Sequence, residues 1–115
     1  MIQGKVWGKT QSLIANAFFE FHRIEYNKGY KCSEHKHEHK INFFFVESGK
    51  MLVRTWQSDQ DGLIDETILE AGEYTQVLPG KYHQFEGLED GVAFELYWGE
   101  FSHDDIVRRT TGSVA

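Results

Sequence analysis

The chain has one cysteine, one proline and two methionines in 115 residues. A lone Cys32 cannot form an intramolecular disulfide, so a disulfide-stapled secreted scaffold is excluded and a reducing cytoplasm is the expected compartment. Long hydrophobic runs are also missing. The opening "MIQGKVWGKTQSLIANAFFEF" has no uninterrupted apolar core of signal-peptide length, and no later stretch approaches a membrane span. Positive charge is scarce as well. The formal net charge of -6 argues against nucleic acid or an anionic membrane as partner, since both select basic surfaces. Repeats, long linkers and low-complexity tracts are absent too, which leaves one domain spanning 1–115 with a single hydrophobic core.

What the chain does have is aromatic side chains, at 15%, and turn signals about every ten residues: "NKG" at 27–29, "ESGK" at 47–50, "SDQDG" at 58–62, "EAGE" at 70–73, "PGK" at 79–81 and "GLEDG" at 87–91. Short runs rich in Phe, Tyr, Val, Ile and Thr lie between them. This spacing predicts an all-β sandwich or barrel, with strands near 17–26, 30–37, 41–47, 50–57, 63–69, 73–78, 82–86 and 92–98. "INFFFV" (41–46) does not alternate, so burial of both faces is expected. Its outward face then needs a cover, from the N-terminal segment or a second subunit, and a homodimer is the expectation. "VAFELYW" (92–98) sets Val92, Phe94, Leu96 and Trp98 on one side and Ala93, Glu95 and Tyr97 on the other. In "SHDDIVRR", Ser102, Asp105, Arg108 and Arg109 make a helix-capping pattern that predicts a short C-terminal helical turn.

The stretch "SEHKHEHK" (33–40) carries the most chemistry. Residues i and i+2 of a strand share a face, so His35 and His37 project together and can take adjacent positions around one divalent ion. The alternative is a solvated, charged loop, because a short His-rich tract is a compositional signal alone. A third histidine, His83, follows the Pro79-Gly80 turn.

Together the two segments resemble the signature of the cupin family. In the first motif Gly29, His35, His37 and Gly49 stand at the required spacing, with Asn42 at the place of the usual glutamate. In the second, Gly72, Gly80 and His83 keep their spacing, while Pro79 sits one place late and Gly87 replaces the final asparagine. The resemblance implies a small double-stranded β-helix, or jelly-roll, barrel in which His35, His37 and His83 converge on a metal. Asn42 would add a neutral oxygen. Such a neutral set favours a divalent transition metal (Zn, Ni, Co, Fe, Mn or Cu) over Mg or Ca. His39 is a fourth ligand, a supporting group or a proton shuttle, or else a solvated residue beyond the strand end.

The flanks are similar to the C-terminal cupin domain of type II mannose-6-phosphate isomerases. Trp7-Gly8, the register of His35, His37, His39, Lys40, Asn42, Phe44, Val46 and Gly49, then Gly99-Glu100 and Asp104 to Arg108 carry the likeness. Three positions depart from that pattern: His35 replaces Gln, Lys40 replaces Arg and Asn42 replaces Glu. The resemblance implies a metal-dependent isomerase or epimerase of a sugar or sugar phosphate. Such chemistry needs a base, for which this sequence offers Glu95, His39 or Lys40, and a phosphate would want a cation, for which it offers Lys40, Lys31 or Arg108, each otherwise a surface charge. Two further classes stay open: a non-catalytic cupin that binds metal or a carbohydrate-like ligand, and an Fe-dependent dioxygenase using the three-histidine set. Trp7, Trp56 and Trp98 are expected to fill the core rather than stack on sugar.

Overall fold

The computed structural model describes residues 1–58 and 62–99. The capping pattern at 102–109 and Arg108 lie outside these residues. Among the described residues seven strands run in chain order: β1 (Ile2–Lys5), β2 (Gly8–Ala15), β3 (Phe19–Tyr26), β4 (Ile41–Trp56), β5 (Ile64–Glu70), β6 (Tyr74–Val77) and β7 (His83–Trp98). All pairings are antiparallel, in the order β1-β2-β3-β7-β4-β5, with β6 also on β4. The all-β expectation and its jelly-roll form hold, and no described residue is helical.

The strands differ from the sequence reading in instructive ways. Runs 41–47 and 50–57 are one strand, as are 82–86 and 92–98, because "ESGK" and "GLEDG" are bulges in the β4–β7 ribbon rather than chain reversals. Register shifts between Val46 and Met51 bend that ribbon. The bend is possible because backbones touch there. A Cβ on Gly91 would sit 2.1 Å from the Ser48 carbonyl oxygen, and Gly49 adopts φ +83° with the Asp90 carbonyl oxygen 2.4 Å from where its Cβ would be. The bend folds the ribbon so that its two ends, Asn42 opposite Tyr97 and Thr55 opposite His83, come together across the interior.

The N-terminal hairpin β1–β2 was not expected. Its chain reversal at Val6-Trp7 carries none of the Asn, Asp or Pro punctuation that marks turns, and β1 is exposed throughout. Trp7 fastens the hairpin by burying against Phe85, edge-on at 4.8 Å between ring centres. The core around it comprises Ile24, Tyr26, Phe44, Val46, Met51, Val53, Leu69, Val77 and Ala93. Each fully buried large apolar side chain stabilises the fold by about 1.5–3 kcal/mol. Tyr26 keeps its hydroxyl satisfied by donating to the Ser48 carbonyl at 2.8 Å, and burial pushes its pKa up to about 12.

"INFFFV" is buried on one face rather than two. Asn42, Phe44 and Val46 point inward, while Ile41, Phe43 and Phe45 are half-buried outside. In β7 the inward side is Ala93, Glu95 and Tyr97. Glu95, which a strand of this composition would place outward as a plain surface carboxylate, is only 7% exposed.

Candidate metal centre

Residues 30–37 do not form a continuous strand, yet His35 and His37 still face the same way. Two isolated bridges, Lys31 with Glu86 and His35 with His83, lay this segment along the start of β7. The His35 amide donates to the His83 carbonyl at 3.1 Å, and the His83 amide returns a bond to His35 at 2.8 Å. Gly80 N–H then holds the His37 carbonyl at 2.8 Å. The extended backbone so produced puts both imidazoles beside His83. Ring centres are 5.1 Å apart for His35–His37, 4.5 Å for His35–His83 and 5.4 Å for His37–His83. One ring nitrogen from each lies within 4.8 Å of the others.

Backbone carbonyls select the tautomers. His83 Nδ1–H donates to the Lys81 carbonyl at 3.0 Å, which leaves Nε2 bare. His35 Nδ1 lies 2.9 Å from the Ser33 carbonyl and donates to it, freeing its Nε2 likewise. His37 Nε2 is buried and has no hydrogen-bond partner among the described residues. An unsatisfied buried nitrogen costs about 1–3 kcal/mol, which a bound cation would offset. Burial pushes the His83 pKa down to about 4, and burial followed by the neighbouring His35 pushes His37 down as well. Both are therefore unprotonated at neutral pH, the form that ligates metal.

Asn42 completes the arrangement. It is 1% exposed, its Oδ1 lies 3.0 Å from His83 Nε2, and its Nδ2 donates to Glu95 Oε2 at 3.4 Å. Glu95 Oε2 also accepts the Tyr97 hydroxyl at 2.5 Å. Burial raises the Glu95 carboxyl above its ordinary value, and burial next to that carboxylate raises the Tyr97 phenol strongly. Three imidazole nitrogens and one amide oxygen suit a borderline divalent ion, so the residues present fit the metal that the resemblance implied.

A cavity of about 360 Å³ opens beside this cluster, lined in part by His35, Glu95, Tyr97, His22, Cys32 and Lys5. Cys32 is no activated nucleophile: burial pushes its thiol up to about 11. His39 and Lys40 are exposed and line a separate cavity of about 250 Å³ with Glu20, Tyr97 and Trp98. Lys40 pairs with Glu20 at 3.7 Å, and Lys31 is exposed in its bridge to Glu86. Trp7 fills the core, Trp56 is half-buried, and Trp98 lies half-buried on the outer sheet face, 6.2 Å from Phe43. Sequence reasoning missed His22 and Tyr97 as site residues. The period-2 alternation that puts Tyr97 on the face of Glu95 was a signal for it, whereas His22 is set opposite Glu95 by the β3–β7 register, which only the fold fixes.

Residues 22–99 match the family model described as the cupin domain. No curated protein matches the chain by sequence. Among solved structures, KdgF from Halomonas sp. superposes with a TM-score of 0.73 at 14% identity, covering 88% of this chain and 89% of that one. An RmlC-like cupin from Shewanella frigidimarina gives 0.68 at 25% identity, covering 93% and 88%. The capsular polysaccharide assembling protein CapF from Staphylococcus aureus gives 0.72 at 21%, covering 91% of this chain and 30% of that one.

Proposed function

The chain belongs to the cupin family, and from that premise we propose that it is a metal-dependent cupin acting on a sugar or sugar phosphate as an isomerase or epimerase. The observation that carries this reading is the approach of His35, His37 and His83 within 4.8 Å of one another, with His35 also lining a cavity of about 360 Å³, large enough for a monosaccharide. The sugar class draws on the likeness to the cupin domain of type II mannose-6-phosphate isomerases. It is in keeping with the polysaccharide-assembling role in the name of CapF.

His35, His37, His83 and Asn42 would hold the ion. When bound, a divalent cation supplies polarisation of a carbonyl and stabilisation of the oxyanion that develops beside it. The remaining work is proton transfer between neighbouring carbons. Of the three candidate bases, Glu95 alone lines the larger cavity, and its Oε1 has no hydrogen-bond partner among the described residues. It is the proposed base, with Tyr97 fixing its other oxygen. His39 and Lys40 line the smaller cavity instead, where Lys40 pairs with Glu20.

Turnover of mannose 6-phosphate or a related aldose phosphate by protein loaded with Co, Zn or Mn is the expected result. No turnover with any of these metals would remove the isomerase reading. One observation favours the non-catalytic alternative: the family's ligating carboxylate is Asn42 here. Calorimetry showing tight sugar binding without turnover would establish that alternative.

The proposal includes assembly and place. Phe21, Phe94, Phe43, Phe45, Ile41 and Trp98 form a half-buried apolar stripe outside β3, β7 and β4, which a second copy would cover in a homodimer. The single cysteine is compatible with a cytoplasmic location. No helix among the described residues is long and apolar enough to cross a membrane.

A further inference from the structure

We infer that Glu95 is a positioning residue that turns the Asn42 amide so that its carbonyl oxygen becomes the fourth donor beside His35, His37 and His83. The inference rests on the metal-site reading above. An amide has two unlike ends, and only the oxygen end can ligate a cation; the reversed amide would aim N–H groups at it. Nothing in residue 42 itself chooses between them. Glu95 does, because its Oε2, already accepting the Tyr97 hydroxyl at 2.5 Å, can take only the Nδ2 end of Asn42, at 3.4 Å. Oδ1 is thereby directed at His83 Nε2, 3.0 Å away. That ring nitrogen is itself bare, since Nδ1–H is spent on the Lys81 carbonyl at 3.0 Å. Two lone pairs therefore face one another across 3.0 Å in a buried site, an arrangement that a cation between them and the other two imidazoles would make favourable.

The consequence is a rearranged charge distribution. Where the cupin motif carries a glutamate in direct contact with metal, this chain has a neutral donor with a carboxyl group one hydrogen bond behind it. Such supporting partners fix ligand orientation and raise donor strength, and their loss weakens metal binding by about 10–100-fold. Tyr97 holds the other side of the same oxygen, so the chain Tyr97–Glu95–Asn42 leads from the cavity wall to the metal position.

The test is metal affinity, read without substrate. Apo protein is titrated with Co(II) in competition with a chromophoric chelator, and the visible Co(II) spectrum reports the donor set. Glu95→Leu, although it removes no ligand, is expected to weaken Co(II) about 10–100-fold and to alter the spectrum as Asn42→Leu does. The double variant should bind no more weakly than Asn42→Leu alone, because Glu95 acts through Asn42. Glu95→Gln, whose amide oxygen can still accept from Asn42 Nδ2, should recover most of the affinity. Wild-type affinity in Glu95→Leu, or losses that multiply in the double variant, would overturn the inference. If Glu95→Leu does not fold, a crystal structure of Zn-loaded wild type decides instead: Asn42 Oδ1 at about 2.0–2.2 Å from the ion supports it, and Asn42 turned away or beyond contact overturns it. Wild type that takes up neither Co(II) nor Zn(II) overturns the metal site itself and this inference with it.

Discussion

The bent β4–β7 ribbon has two regions built on opposite logic. At the bend, Val46, Met51, Ala93 and Tyr26 pack without a charge among them, and Gly49 and Gly91 let backbones meet. At the ends, Asn42, Glu95 and His83 are just as buried but polar, bonded to one another and to Tyr97. The same two strands supply both regions, with Tyr26 added from β3 at the bend. Inside a closed barrel, burial alone therefore does not mark the core; what separates the regions is whether the buried atoms need a partner. The bend is complete by itself, whereas beside the ends His37 Nε2 has none among the described residues.

The largest effect should come from breaking the bend. Gly91→Val would place its Cβ 2.1 Å from the Ser48 oxygen and 2.4 Å from the Tyr26 hydroxyl. A loss of about 3 kcal/mol or more is expected, enough to remove the cooperative urea transition. Near-wild-type stability there would show the bend to be soft. The ends should behave differently. His83→Ala is expected to weaken Zn(II) or Co(II) binding by on the order of 100-fold or more while the metal-free protein still melts cooperatively. Equilibrium competition with a chelator, alongside a circular-dichroism melt, separates the two quantities, and unchanged affinity would break the contrast.

Acid gives a subtler comparison. His83 titrates at about 4 in the fold against an ordinary 6.5. As pH falls, the unfolded chain takes up this proton first, so metal-free protein loses stability from about pH 6.5 down to about 4 and loses no more from this group below that. The loss is on the order of 3 kcal/mol. Glu95 runs the other way: its raised carboxyl contributes stability at low pH that is lost as pH rises above the ordinary carboxyl value of 4.5. The difference between wild type and His83→Gln in urea melts across pH 4–7 isolates the imidazole, and parallel curves would refute the assignment. Smallest in stability is the outer face. Phe43→Glu should leave the melt within about 1 kcal/mol of wild type while shifting light-scattering mass from twice 13.4 kDa to once. Wild type at 13.4 kDa would remove the homodimer.

Much of this was legible in the residues, and the failures share one cause. The likeness of Gly29, His35, His37, Gly49, Gly72, Gly80 and His83 to the cupin signature pointed to the fold, and the structure brings the three imidazoles named by that likeness within 4.8 Å of one another. The same glycines misled on strand ends: Gly49 reads as a turn residue, and its positive φ serves a bulge instead. Alternation along 92–98 divided the side chains correctly into two faces without telling which was inner. Phe94, Leu96 and Trp98 look like core and lie on the outer sheet face, whereas Glu95 looks like surface and is 7% exposed. A hydrophobicity rule fails where the interior is built to hold something polar.

The reciprocal pair of amide bonds between His35 and His83 also governs timing. Two of the three imidazoles ride on a segment joined to β7 by isolated bridges at Lys31–Glu86 and His35–His83, so an ion clasped by all three would rivet that segment down. Escape of the ion and peeling of the segment become one event. Deuterium uptake at the amides of Cys32, His35 and His83 should then slow together on loading, making the lifetime of the clasp measurable from the backbone.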